Sequence, residues 1–120
     1  MKEVYWDIRL IGYWDCMQRI AFKMKLFKGY EDEYKKRHDA IWPELKDLLK
    51  QAGIRNYSIF FDEATNDLIG YFTIDDAIKL DELRNEPVMK KWWAYMKDIM
   101  ETYEDDSPVS IPLKEVFYLR

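Results

Sequence analysis

Cysteine is almost missing from this chain of 120 residues: Cys16 stands alone. One thiol cannot close an internal disulfide or build a Cys-rich metal site, and it fits a reducing compartment, so the expected location is the cytoplasm. Histidine is as scarce, with His38 alone. Without clustered His and carboxylate spacing, no metal site is expected. Four glycines and four prolines exclude a collagen-like or low-complexity chain. No glycine-rich phosphate loop, GxSxG elbow or Rossmann fingerprint occurs. No run approaches the roughly 20 apolar residues of a membrane span, and Glu3, Asp7, Arg9 and Asp15 interrupt the stretch where a signal peptide needs its apolar core. An excess of one charge is lacking too. Nineteen basic against twenty-three acidic residues leave a net −4, too little field to steer a polyanion, so nucleic-acid partners are not expected.

What the chain has in plenty is aromatic side chains, 17% of all residues. One domain of this length can bury a real core. It does not need so many large rings for packing alone, so some should line a pocket or an interface.

Between Arg19 and Leu26, Ile20, Phe22, Met24 and Leu26 alternate with Arg19, Ala21, Lys23 and Lys25, which predicts a half-buried strand. From about Glu31 to Ala52, Tyr34, His38, Ile41, Leu45, Leu48, Leu49 and Ala52 fall near one helical face, and Gly53 closes the helix. Pro43 lacks the N–H that would bond back to Asp39, which predicts a break near Asp39 to Trp42. The stretches 54–62 and 68–74 read as a hairpin. Asp75 and Asp76 can cap a short helix through about Leu83, and Pro87 opens another that runs to about Thr102. A polar loop follows, and Leu113 to Leu119 reads as a last strand.

This order, βαββαβ, predicts an α+β ferredoxin-like sandwich spanning residues 17–120. Helices in such a fold cover one sheet face. Alternation nevertheless puts apolar side chains on both, with Tyr57, Ile59 and Phe61 opposed to Ile54 and Phe60. An uncovered apolar face predicts a homodimer pressed sheet to sheet, the dimeric α+β barrel arrangement. Residues 1–16 form an extension. Alternation of Val4, Trp6, Ile8 and Leu10 would suit an extra edge strand, and a non-native segment ahead of a natural start at Met17 fits equally well.

His38 is the one side chain whose ordinary pKa lies between pH 5 and 8. A lone histidine on a helix is more often a surface or core residue than a catalyst. Here Tyr34 precedes it by four residues, on the same face, and Trp42 follows by four. An imidazole beside a phenol in an aromatic wall suits general acid–base work. Trp92 and Trp93 are neighbours on a predicted helix and point about 100° apart, so one of them should reach a cleft or an interface. Tyr57 could stand beneath the face carrying Tyr34 and His38, or simply pack in the core. Cys16 lies outside the domain pattern and has no second histidine to activate it.

The segments EYKKRHDAIWPEL (33–45), NYSIF (56–60), KWWAYMKDIM (91–100) and DSPVSIPLKEVFYL (106–119) together resemble the L-rhamnose mutarotase family. The resemblance runs in order from Met17 to the C-terminus. It implies an isomerase that interconverts the α and β anomers of L-rhamnopyranose on a dimeric ferredoxin-like fold, without a cofactor. In that family the histidine before IWPEL donates a proton, which corresponds to His38. The tyrosine four residues earlier, the NY tyrosine and the paired tryptophans contact the sugar, which corresponds to Tyr34, Tyr57, Trp92 and Trp93. Lys36 stands where members often carry arginine, on a position that adjoins the histidine without sharing its face. The same fold also hosts haem-binding proteins and small monooxygenases. A haem ligand role for His38, or a sugar-binding dimer without catalysis, are therefore the alternative readings.

Overall fold

The computed structural model describes residues 17–120, so the readings that concern residues 1–16 and Cys16 fall outside the described residues. Strand β1 (Gln18–Lys25) lies inside an antiparallel sheet of order β2-β3-β1-β4, completed by β2 (Arg55–Asp62), β3 (Asp67–Ile74) and β4 (Ile111–Leu113). This is the ferredoxin-like arrangement the element order predicts. One face of the sheet carries Phe22, Met24, Leu68, Phe72 and Ile74 against the helices, and Leu26, Leu45, Met96, Ile99 and Met100 extend the same core.

Proline punctuates the helices as expected. The stretch 31–52 divides into α1 (Glu31–Asp39) and α2 (Pro43–Gln51), with Trp42 extended between them and Pro43 in the first turn of α2. Helix α2 ends in a Schellman motif: the Gly53 N–H donates to the Lys50 carbonyl at 3.0 Å and the Ile54 N–H to the Leu49 carbonyl at 3.1 Å. Gly53 takes φ +90°, which glycine adopts without strain. Helix α3 (Lys79–Leu83) is short, and the Asp76 carboxylate accepts the Ile78 N–H at 3.1 Å just before it.

Three expectations need correction. Helix α4 (Pro87–Met96) stops short of Thr102. The residues after it run beside the end of β1: the Ile99 carbonyl accepts from Phe27 at 2.9 Å, the Lys25 carbonyl accepts from Glu101 at 3.0 Å, and Ile99 and Met100 are buried by this exchange. Strand pairing at the C-terminus covers only 111–113, not Leu113 to Leu119. Pro112 sits on an edge strand, where its missing N–H is tolerated, and beyond it Glu115 binds Arg19 through two bonds of 2.8 Å while Tyr118 stacks on the Arg19 guanidinium. The third correction concerns Ile54. It is buried with Phe72 and Ile74 on the helix side, and is not opposed to Tyr57.

Candidate active site

Between the helices and the inner sheet face lies an open trough, and His38, Tyr34, Tyr57, Trp92 and Trp93 all line it. The break at Pro43 leaves His38 in the last turn of α1 and lets Trp42 turn toward α4. Tyr34 and His38, one helical turn apart, stack with ring centroids 4.2 Å apart and planes 27° apart. Trp92 arrives from α4 and meets the imidazole at 89° and 5.3 Å. It is held by Trp42 at 5.1 Å and Tyr95 at 5.7 Å. The histidine is thus gripped between a phenol of its own helix and an indole of another.

His38 Nδ1 lies 3.1 Å from the Tyr34 carbonyl oxygen. A carbonyl can only accept, so Nδ1 carries the proton and Nε2 keeps its lone pair free. Burial holds the imidazole below its ordinary pKa of 6.5, outweighing the bond to the Tyr34 carbonyl and the charge of Asp39, which both favour protonation. The side chain is therefore a neutral base at pH 7.

Both tyrosines are held protonated. Burial, and then the proximity of Tyr57, drives the Tyr34 phenol far above its usual range. Burial pushes the Tyr57 phenol up to about 12. Tyr57 is crowded by the trough floor and yet 41% exposed, because open space lies above it. The Tyr34 hydroxyl has no hydrogen-bond partner among the described residues, and none of their buried side-chain polar atoms is left unsatisfied. The hydroxyl therefore keeps some accessible surface, on a residue that lines the trough.

The structure brings both Tyr34 and Trp92 against His38. Tyr57 instead lies on the sheet floor, 5.2 Å from Phe72 and 6.4 Å from Phe22. Trp93 is half-buried and lines the trough one residue on from Trp92, so both indoles reach the cleft that sequence demanded of one.

Sequence reasoning overlooked Arg37. Its side chain is only 10% exposed and clamps α1 to the end of α4. Nη1 and Nη2 donate to the Asp98 carboxylate at 2.9 and 3.2 Å, Nη1 also to the Tyr95 carbonyl at 2.8 Å, and Nε to Glu33 at 2.8 Å. Hydrogen bonding from Arg37 holds the Asp98 carboxyl below the usual range. The Glu33–Arg37 spacing was a visible helix pair, but nothing local pointed to Asp98.

The L-rhamnose mutarotase family model matches residues 19–119. An L-rhamnose mutarotase of Lachnoclostridium phytofermentans is 52% identical over 103 residues, covering 86% of this chain and 99% of that protein. One of Listeria monocytogenes is 48% identical over the same shares. The crystal structure of an L-rhamnose mutarotase from Formosa agariphila, 52% identical, matches 86% of this chain and 99% of that chain with a TM-score of 0.81. A conserved protein from Methanosarcina mazei reaches a TM-score of 0.59 at 12% identity, covering 88% of this chain and 100% of that one. At that identity the likeness is one of fold alone.

Proposed function

The chain belongs to the L-rhamnose mutarotase family, and from that premise we infer that it is an isomerase exchanging the α and β anomers of L-rhamnopyranose, with His38 moving the proton. The observation that carries this reading is the tethered imidazole, its Nδ1 fixed on the Tyr34 carbonyl at 3.1 Å and its Nε2 free beside the trough. Family membership does not favour the haem-ligand or the non-catalytic alternative.

Anomer exchange requires the anomeric hydroxyl to lose its proton while the bond from C1 to the ring oxygen breaks, its electron pair staying on the ring oxygen, which gains a proton. The aldehyde then turns about the C1–C2 bond and the steps reverse. His38 Nε2 takes the hydroxyl proton. The imidazolium so formed is a stronger acid than usual, because the site is desolvated, and it gives the proton up to the ring oxygen. One group serves in both directions. Tyr34 and Tyr57, held protonated, donate hydrogen bonds to sugar oxygens. Trp92 and Trp93 offer flat apolar faces to the C–H groups and to the C5 methyl.

Residues 17–120 form the mutarotase domain in this reading, supported by the family match over 19–119. Two copies pair through the outer sheet face, where Phe60 is 65% and Ile111 55% exposed. The scarcity of cysteine supports work in the cytoplasm.

Saturation transfer between the two anomeric protons of L-rhamnose tests the activity. The protein should raise the exchange rate well above that of buffer, and His38→Ala should lower the catalysed rate by about 10²- to 10⁴-fold. An unchanged rate with the wild-type protein would remove this function.

A further inference from the structure

In a regular strand, alternate residues share a face, and the start of β2 breaks that rule. Ile54 faces the helices, packed with Phe72 and Ile74. Tyr57, three residues on, faces the same way against Phe22 and Phe72. Two residues an odd number apart can share a face only if one extra residue lies between them. The pairing shows it: Arg55 opposes Thr73 and Ser58 opposes Tyr71, so three steps on β2 match two on β3. Within that bulge Asn56 takes φ +55°, in the left-handed region. Asparagine enters this region more readily than other non-glycine residues, and β-branched residues hardly at all.

The flanks of the bulge are pinned. The Arg55 guanidinium donates to the Lys50 and Ile54 carbonyls at 3.1 and 2.9 Å. The Thr73 hydroxyl donates to the Arg55 carbonyl at 3.1 Å, and the Asn56 amide donates to that hydroxyl at 3.4 Å.

We propose that Asn56 is a positioning residue for the sugar site: its left-handed backbone makes the bulge that turns Tyr57 onto the trough floor. With Arg55 held opposite Thr73 and no extra residue, Tyr57 would stand opposite Tyr71 on the outer face, away from His38. Bulges next to active sites commonly re-aim a side chain in this way. The proposal deepens the functional reading and rests on Tyr57 touching the sugar. Because Asn56 acts through its backbone angle, glycine and aspartate should replace it, and β-branched residues should not.

The test compares Asn56→Gly, Asn56→Asp, Asn56→Ala and Asn56→Val with Tyr57→Phe, using two readouts. One is KM and kcat for L-rhamnose anomer exchange. The other is the set of NMR cross-relaxation contacts from the Tyr57 ring to Phe72 and Phe22, which need no substrate. Gly and Asp should keep the ring contacts and a KM within about twofold of wild type. Val should lose the contacts and raise KM by about tenfold, as expected for one lost hydrogen bond, with kcat changed less. Ala should fall between, and it carries the comparison with Gly if Val does not fold. Wild-type ring contacts in Ala and Val would overturn the proposal, as would a loss in Gly as large as in Val. A wild-type protein without exchange activity, or a Tyr57→Phe variant with unchanged KM, would instead count against the functional reading, while the ring contacts still decide the role of Asn56.

Discussion

Tyr34 and His38 are joined twice, by stacked rings 4.2 Å apart and by a 3.1 Å bond from the imidazole Nδ1 to the tyrosine's carbonyl oxygen. The first contact strips water from the imidazole and the second fixes its tautomer. A ring that could otherwise titrate and turn freely is left with one nitrogen available for chemistry.

Because the chain holds a single histidine, 15N labelling of histidine should report this arrangement without overlap. Nδ1 should show a protonated shift and Nε2 an unprotonated one at pH 7. The reverse pattern would contradict the tether. The same group has a stability consequence. Its folded pKa lies below the ordinary 6.5, so on acidification the unfolded chain takes the proton first. Stability from this group is constant above pH 6.5 and falls as pH drops below it toward the folded value. His38→Gln should flatten that part of a stability profile recorded by urea unfolding.

Gly70 lies opposite Phe22 in the β1–β3 ladder, and a Cβ built on it would come 2.3 Å from the Phe22 ring. That ring is hemmed in by Phe72 at 6.0 Å and Tyr57 at 6.4 Å, so it cannot swing away freely. Gly70→Ala should cost about 1–3 kcal/mol by overpacking, read as a lowered thermal midpoint, and should disturb Tyr57. An unchanged midpoint would mean that the floor is softer than the packing implies.

Arg37→Lys keeps the charge and loses the forked pair to Asp98. A loss of about 1–2 kcal/mol is expected, at the modest end for charged hydrogen bonds because the Asp98 side chain is 64% exposed. Since Arg37 fixes α1 against α4, the exchange rate should fall as Trp92 loses its seat against His38. Equal stability and rate in the two proteins would show the clamp to be incidental.

The outer sheet face provides a separate test. Light scattering should give about twice 14.7 kDa, and Phe60→Lys, which puts a charge at the exposed ring, should shift the protein toward monomer. A wild-type monomer at high concentration would refute sheet-to-sheet pairing.

Local signals account for much of this architecture. Pro43 alone marks the break that leaves His38 at a helix end, and the spacing of Tyr34 and His38 puts them on one face before any tertiary contact is known. What escaped sequence reading depends on distant partners. Helix α4 stops at Met96 because Phe27 and Lys25 compete for the backbone that follows. The apolar run through Tyr118 resembles a strand, yet its tyrosine is engaged by Arg19. Strict alternation sets Ile54 on the face opposite Tyr57, because it does not foresee the bulge at Asn56. In the candidate site, the spacing of Tyr34 and His38 and the pairing of Trp92 with Trp93 are local signals, whereas Arg37 needed Asp98, sixty-one positions away, and Phe22 and Phe72 needed the strand register.

The claim that neutral His38 is the base is tested most directly by the pH dependence of anomer exchange, measured by saturation transfer beside the 15N titration of the same histidine. The exchange rate should be level at neutral pH and fall on an acid limb below 6.5, at the pH where the imidazole titrates, and His38→Gln should lack that limb. A limb well away from the histidine titration, or one that survives in His38→Gln, would contradict the account.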